Sequence, residues 1–399
     1  MHTSHGYAHV RCEVATSYGC ASVPPAPCRV GLQIPNFNLP GVEPEQLLDK
    51  LTVIAQTAES SGFDSLWVMD HLNQIPGQGP IDNWMLEGNT VLAALAARTS
   101  NVQLGLMVGG VTYRNPALMA KVTTTLDVLS GGRAVLGIGA AWFEHEHRAF
   151  GYEFPPIAER FERLEDGLRI ARAMFTEEQP TVTGKHHRVE SVLNRPRPIR
   201  GDIPIMVGGS GERKTLRLVA RYADASNVFG DVERVRHLMG VLAGHCENAG
   251  RDPAQITKTK LGTLVIAPTD EQAQAKLQPI RDRGVSEERI AGFALAGDAA
   301  GVAEQVAAHL DAGLDGLVVN MPDVHDLEAV ALAGELLSRA IRKARPYTRI
   351  DTPSPTIFES VSFSVFLSPV SPNSRLPAPR TTGNTIRCRA STRSLSISA

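Results

Sequence analysis

Asp70 and His71 stand side by side in SLWVMDHLNQ (65–74), where an apolar run ends and a loop should begin. An imidazole titrates near neutrality and can give or take a proton, and a neighbouring carboxylate can orient it. The pair could equally be a helix cap beside a surface histidine. Three further apolar runs end in glycine-rich stretches: MVGGVTYRNP (107–116), GIGAAWFEHEH (137–147) and VGGSGERKT (207–215). Glycines there let backbone N–H groups approach a ligand closely. Gly208, Gly209 and Gly211 precede a predicted helix whose N-terminal dipole could hold a phosphate, with Arg213 and Lys214 adding charge. Lys214 could also be a solvated surface charge.

Common motifs do not account for these stretches. GIGAAW departs from the dinucleotide fingerprint, because Trp142 takes the place of its last glycine or alanine. GGSGERKT is not a P-loop, since Arg213 precedes the lysine where a glycine is required. The run EHEH (144–147) invites a metal reading, but adjacent alternating residues do not converge on one ion and no HExxH is present. His186 and His187 fall in a long irregular stretch and read as solvated, whereas Trp67 and Trp84 read as core.

The elements that must position these residues alternate. Strand-like runs begin near residues 29, 65, 102, 133, 203, 224, 258 and 316, and nearly all are followed by a helical pattern. In residues 43–62, for example, apolar side chains recur at helical spacing from Leu47 to Ala58 and stop at Gly62. Eight βα units with continuous apolar strands predict an α/β fold of the TIM (β/α)8 barrel type, with an open doubly wound sheet as the alternative. The stretch 176–202 is expected to be an insertion between units four and five, as a hairpin and lid. In a barrel, chemistry sits at the C-terminal ends of the strands, where the Asp70-His71 pair and the glycine-rich runs fall.

Composition bounds the rest. The 399 residues carry a formal charge of −2, which gives no reason to expect nucleic acid. No apolar run reaches membrane-spanning length, and the N-terminus lacks the apolar stretch of a secretory signal. Of five cysteines none forms a zinc-like CxxC, so a reducing cytoplasm is expected. Residues 29–345 form the expected barrel domain. Residues 1–28 and 346–399 are expected to be disordered extensions, because residues 351–399 hold 11 Ser, 6 Pro, five Arg and no Lys. The abrupt change of texture suggests a misplaced start and a shifted reading frame at the two ends.

GFDSLWVMDH (62–71), LGLMVGGVTYRNPALMAK (104–121), GRAVLGIGAAWFEHEHRAFG (132–151) and PIMVGGSGERKTLRLVARYAD (204–224) together resemble the luciferase-like monooxygenase superfamily. Within it the similarity is to the coenzyme F420-dependent oxidoreductase branch. The resemblance implies a TIM barrel that binds its ring system across the C-terminal mouth. It implies that Asp70 touches the deazaflavin and that His71 lies near the reacting carbon. It also implies a non-prolyl cis peptide at Met107-Val108 against one ring face. Gly110, Ile138 and Gly139 would line the ring and ribityl chain, and Gly209, Ser210 and Gly211 would hold the phosphate. Dehydrogenases of sugar phosphates in this branch carry a glutamate where this chain has Ala140. Either His71 acts alone or its acid partner comes from 144–147. The implied activity is hydride transfer between the deazaflavin C5 and a small organic substrate, in a homodimer. A monooxygenase using reduced FMN and oxygen, or a non-catalytic flavin-binding barrel, remain alternatives.

Overall fold

The computed structural model describes residues 28–282 and 284–344. Eight parallel strands close into a barrel: β1 (Val30–Ile34), β2 (Ser65–Val68), β3 (Gln103–Leu106), β4 (Ala134–Gly139), β5 (Ile205–Gly208), β6 (Ala225–Val228), β7 (Thr257–Ile266) and β8 (Gly316–Asn320). Each pairs with its sequence neighbours, and β8 pairs with β1, so no edge remains. The open doubly wound alternative is thereby excluded. All eight expected strands are present, with ends within about two residues of the sequence reading. The segments 1–27 and 345–399, which include most of the two extensions, lie outside the described residues. Cys28 does not belong with the extension. It is buried, and its N–H and thiol both meet Gln103 Oε1 at the base of the barrel, at 3.2 and 2.9 Å.

The larger core lies between the barrel and the helices. Helix α1 (Leu47–Ser61) buries Leu51, Ile54, Ala55 and Ala58, and Gly62 closes it in a left-handed conformation. Helices α2 (Gly88–Ala96), α3 (Pro116–Ser130), α4 (Glu144–Ala149) and α5 (Ile157–Thr176) cover β2 to β4. Helices α6 (Thr215–Tyr222) and α7 (Val232–Ala249) follow β5 and β6. The region between β7 and β8 holds more than sequence reading supplied: α8 (Asp270–Asp282), α9 (Glu287–Phe293), a strand at Ala294–Gly297 and α10 (Ala299–Asp311). That strand pairs with the distal half of β7, which outgrows the barrel. Its sequence, ALAG, is too small and too short to show strand periodicity. Helix α11 (Leu327–Ala344) completes the ring. Among the described residues no helix is long and apolar enough to cross a membrane.

The insertion contains the expected hairpin, Val182–Thr183 against Arg188–Val189. It is not a lid. The Asp166 carboxylate of α5 accepts from the backbone N–H groups of Lys185, His186 and His187, which fastens the hairpin along the outside of that helix. Side-chain contacts from Glu162 to Lys185 and His186 add to this.

The barrel interior is filled by Trp67, Met107, Val135, Met206, Ala225 and Val318. Trp67 is fully buried, and its indole N–H donates to Ser65 Oγ at 3.0 Å. A Cβ at Gly105 would stand 2.6 Å from its ring, so the neighbouring strand is cut back to admit the indole. Replacing Trp67 with alanine empties the centre of the barrel. It should cost about 3–5 kcal/mol, read as a lowered denaturation midpoint in urea.

Candidate active site

The strand ends converge on the C-terminal mouth. Gly105 of β3 is paired with Val135 of β4, and Gly109 with Ile138. Four steps along one chain therefore face three along the other, which is a bulge. The bulge contains the Met107–Val108 peptide, and that peptide is cis, as the resemblance implied. A polar chain across the interior supports it: Thr263 Oγ1 donates to Asn320 Oδ1 (2.9 Å), Asn320 Nδ2 to Gln33 Oε1 (3.2 Å), and Gln33 Nε2 to the Met107 carbonyl (3.3 Å). Val108 lies across the floor of the mouth. Cβ atoms at Gly139 and Gly208 would stand 2.9 and 2.8 Å from its methyl groups, so two glycines leave it room.

Asp70 and His71 part company in space. Asp70 is buried, and its Oδ2 accepts from the Gly110 N–H at 3.0 Å and from Arg114 Nη1 at 2.7 Å. Arg114 Nη2 donates to Glu87 at 2.7 Å, so one guanidinium joins the loop after β2, the loop after β3 and the start of α2. Burial pushes the Asp70 carboxyl up from its ordinary value, with Arg114 and Gly110 pulling the other way. Its second oxygen, Oδ1, is buried with no hydrogen-bond partner among the described residues. Such an acceptor costs roughly 1–3 kcal/mol unless a donor reaches it.

His71 turns to Glu146, the third residue of EHEH. Nδ1 lies 2.6 Å from Glu146 Oε1, and the carboxylate makes Nδ1 the protonated nitrogen. Nε2 then has no partner among the described residues, and the side chain keeps 15% exposure. Glu146 itself is fully buried. Its Oε2 accepts from the Leu72 N–H at 2.8 Å and the Asn73 N–H at 3.4 Å, and the Tyr113 hydroxyl donates to Oε1. Burial opposes its charge, but the hydrogen bonds from His71, Tyr113 and Leu72 outweigh burial and hold the carboxyl below the usual range. Burial and Glu146 in turn push the Tyr113 phenol far up. Beneath this layer His147 Nδ1 donates to the Phe143 carbonyl (2.8 Å) and Nε2 accepts from the Thr112 hydroxyl (2.7 Å). The carboxylate that pairs with His71 thus comes from the 144–147 segment, while Ala140 offers none. Among the described residues no group of three or more His, Cys, Asp or Glu could hold a metal ion.

The remaining expected site residues separate. Gly110 and the Met107–Val108 peptide belong to the floor. The Ile138 side chain points the other way, into the layer under α5 against Gly167, so sequence reasoning placed it on the wrong face. The alternation of β4 accounts for this: Gly137 and Gly139 face in, and Ile138 faces out. The Gly209 N–H donates to the Asn227 carbonyl at 2.9 Å. The Ser210 hydroxyl accepts from the Phe229 N–H (2.8 Å) and donates to its carbonyl (3.2 Å). The Gly209–Gly211 turn thus leads into α6, yet part of its polar capacity is spent tying the loops after β5 and β6 together. Lys214 is exposed, 5.3 Å from the Phe161 ring. Trp67 fills the barrel interior, and Trp84 is partly buried against the core between barrel and helices.

Sequence reasoning missed Tyr113 and Arg114. They sit in TYRNPALMAK, which carried the resemblance without a role for each letter. Tyr113 binds Glu146, Arg114 binds Asp70, Asn115 caps α3 by accepting from Ala117 and Leu118, and Pro116 opens the helix.

The profile of the luciferase-like monooxygenase family matches residues 28–285, well over half the chain. The chain belongs to this family. An F420-dependent glucose-6-phosphate dehydrogenase of Kineococcus radiotolerans is 32% identical over 302 residues, 68% of this chain and 87% of its own. A pyrimidine monooxygenase RutA of Pseudomonas savastanoi is 30% identical over 254 residues, 62% of this chain and 68% of its own. The coenzyme F420-dependent tetrahydromethanopterin reductase of Methanopyrus kandleri superposes with a TM-score of 0.65 at 20% identity, over 79% of this chain and 99% of that one. These relatives are enzymes, and the luciferase-like barrel is the same fold.

Glu146 titrates with a lowered carboxyl, so its ionised form stabilises the fold above the ordinary glutamate range. That contribution disappears as pH falls through the lower native value. Glu146→Gln should therefore be less stable than wild type by roughly 1–3 kcal/mol at pH 7. In urea melts at descending pH the gap should narrow below about pH 4; a gap independent of pH would contradict a charged Glu146.

Proposed function

We propose that the protein is an F420-dependent oxidoreductase acting on a small organic substrate, with His71 moving the proton that accompanies hydride transfer. The observation that carries this reading is the His71–Glu146 pair. The buried carboxylate holds the proton on Nδ1 and leaves Nε2 as the nitrogen that can donate to or accept from a substrate atom.

The residues present fit a deazaflavin. Asp70 Oδ1 is a buried acceptor awaiting an N–H or O–H donor. Val108 offers an apolar floor for a flat ring, and the Gly209–Gly211 turn offers backbone beside the start of α6 for a phosphate. When bound, the deazaflavin supplies the hydride chemistry. The protein's share is to orient the ring, exclude water beneath it, and hold the His71 imidazole in one orientation beside it. The relatives named for F420 support this cofactor. The same slot would accept FMN, and the pyrimidine monooxygenase relative keeps a flavin-dependent oxygenation as the second reading.

Titration of the purified protein with F420 and with FMN, followed by quenching of cofactor fluorescence, separates the two. Tight FMN binding without F420 binding would overturn the first reading. Given F420 binding, His71→Ala should lower turnover by about 10²–10⁴-fold and change cofactor affinity little. Unchanged turnover would remove His71 from the chemistry.

A further inference from the structure

We infer that Trp142 is the specificity-determining wall of the substrate pocket, and that the substrate is an uncharged ketone or alcohol carried on a flat, unsaturated ring. This rests on the reading of His71 as the proton-moving group.

The segment Ala140-Ala141-Trp142-Phe143 joins β4 to α4. Its backbone is in a conformation that ordinary residues avoid: Ala141 has φ +60°, in the left-handed region that favours glycine. An alanine held there needs a restraint. Arg160 provides it, because its guanidinium donates to the carbonyls of both Ala140 and Ala141 while its Nε donates to the Pro155 carbonyl at 3.1 Å. Arg160 is itself buried. The result of this restraint is the placement of Trp142. Trp142 is 57% exposed at the mouth, with its ring against Phe143 and His71. Strain held by a buried arginine in order to expose a tryptophan points to a surface built for contact.

The indole stands beside the reacting group. The His71 and Trp142 ring centroids are 5.6 Å apart at 77°, and His71 and Phe143 are 5.9 Å apart at 78°. Trp142 and Phe143 lie 5.2 Å apart, tilted by 33°. A substrate whose oxygen reaches His71 Nε2 would bring its body against this aromatic wall. Flat unsaturated rings stack or meet edge-to-face there.

Charge on this side of the mouth argues against a phosphorylated substrate. The acids are Asp70, Glu87, Glu144 and Glu146. Arg114 is engaged by Asp70 and Glu87, Arg160 by backbone carbonyls and the Phe154 ring, and Arg148 faces Glu144 at 3.9 Å. A phosphate beside Trp142 would meet these carboxylates, with Arg114 and Arg160 already engaged and Arg148 only in an exposed pair with Glu144. The wall therefore differs in substrate class from what the name of the glucose-6-phosphate dehydrogenase relative describes.

The test uses the full-length protein and the uncharged probe 1-tetralone, with glucose 6-phosphate as the charged arm. Binding is read by saturation-transfer NMR and calorimetry, with and without F420. Wild type should bind 1-tetralone, Trp142→Ala should bind it about tenfold more weakly, and Trp142→Phe should stay within about threefold of wild type. F420 affinity should be the same in all three proteins, and glucose 6-phosphate should not displace the probe. Equal 1-tetralone affinity in wild type and Trp142→Ala, or tighter binding of glucose 6-phosphate than of 1-tetralone, would overturn the inference. Failure of F420 to bind, with the Trp142 dependence intact in cofactor-free protein, would overturn the proposed cofactor and leave the wall standing.

Discussion

A carboxylate taken fully out of water must be surrounded by donors, and Glu146 meets that condition with groups from two other loops. His71, Leu72 and Asn73 come from the loop after β2, Tyr113 from the loop after β3, and Glu146 itself from the helix after β4. An unpaired charge at this depth would cost several kcal/mol, so each donor is under pressure to stay in place. The same carboxylate that needs them therefore ties three neighbouring βα loops together and sets the tautomer of His71. Second-site support of this kind is what keeps a proton-moving imidazole in one orientation.

The barrel beneath supplies a rigid base for that cluster. Closure removes every strand edge, and Trp67 with its apolar neighbours fills the centre. Nearer the mouth the interior changes from apolar packing to the hydrogen-bonded series Thr263, Asn320, Gln33 and the Met107 carbonyl. That series holds the bulge after β3 in a single arrangement and leaves Val108 as a smooth floor. A rigid scaffold carrying chemistry on its loops is the usual division of labour in this fold.

Three departures from good folding practice meet at the barrel mouth. Asp70 Oδ1 is buried without a donor, Ala141 is left-handed without being glycine, and Trp142 is exposed. Their occurrence together beside the His71–Glu146 pair is what a site trading folding stability for function would show.

The sequence by itself determined the α/β class: eight apolar runs, nearly all followed by a helical pattern, require a parallel sheet covered on both faces, and strand pairing closed it into a barrel rather than an open sheet. Because chemistry in such a barrel sits at strand ends, Asp70, His71 and the glycine-rich runs could be named from order along the chain, whereas the Met107–Val108 peptide came from the family resemblance. The strand at Ala294–Gly297 escaped, since four small residues carry no period. The resemblance set Ile138 beside the ring, yet the alternation of β4 turns its side chain toward the helix layer. Only the tertiary structure decided the partners. Nothing in EHEH distinguishes Glu146 from Glu144, yet the turn of α4 buries the first and exposes the second. Likewise Asp70 and His71, adjacent in the chain, face different partners, Arg114 and Glu146. Side-chain pairing across 40 to 75 residues depends on loop geometry that no local pattern encodes.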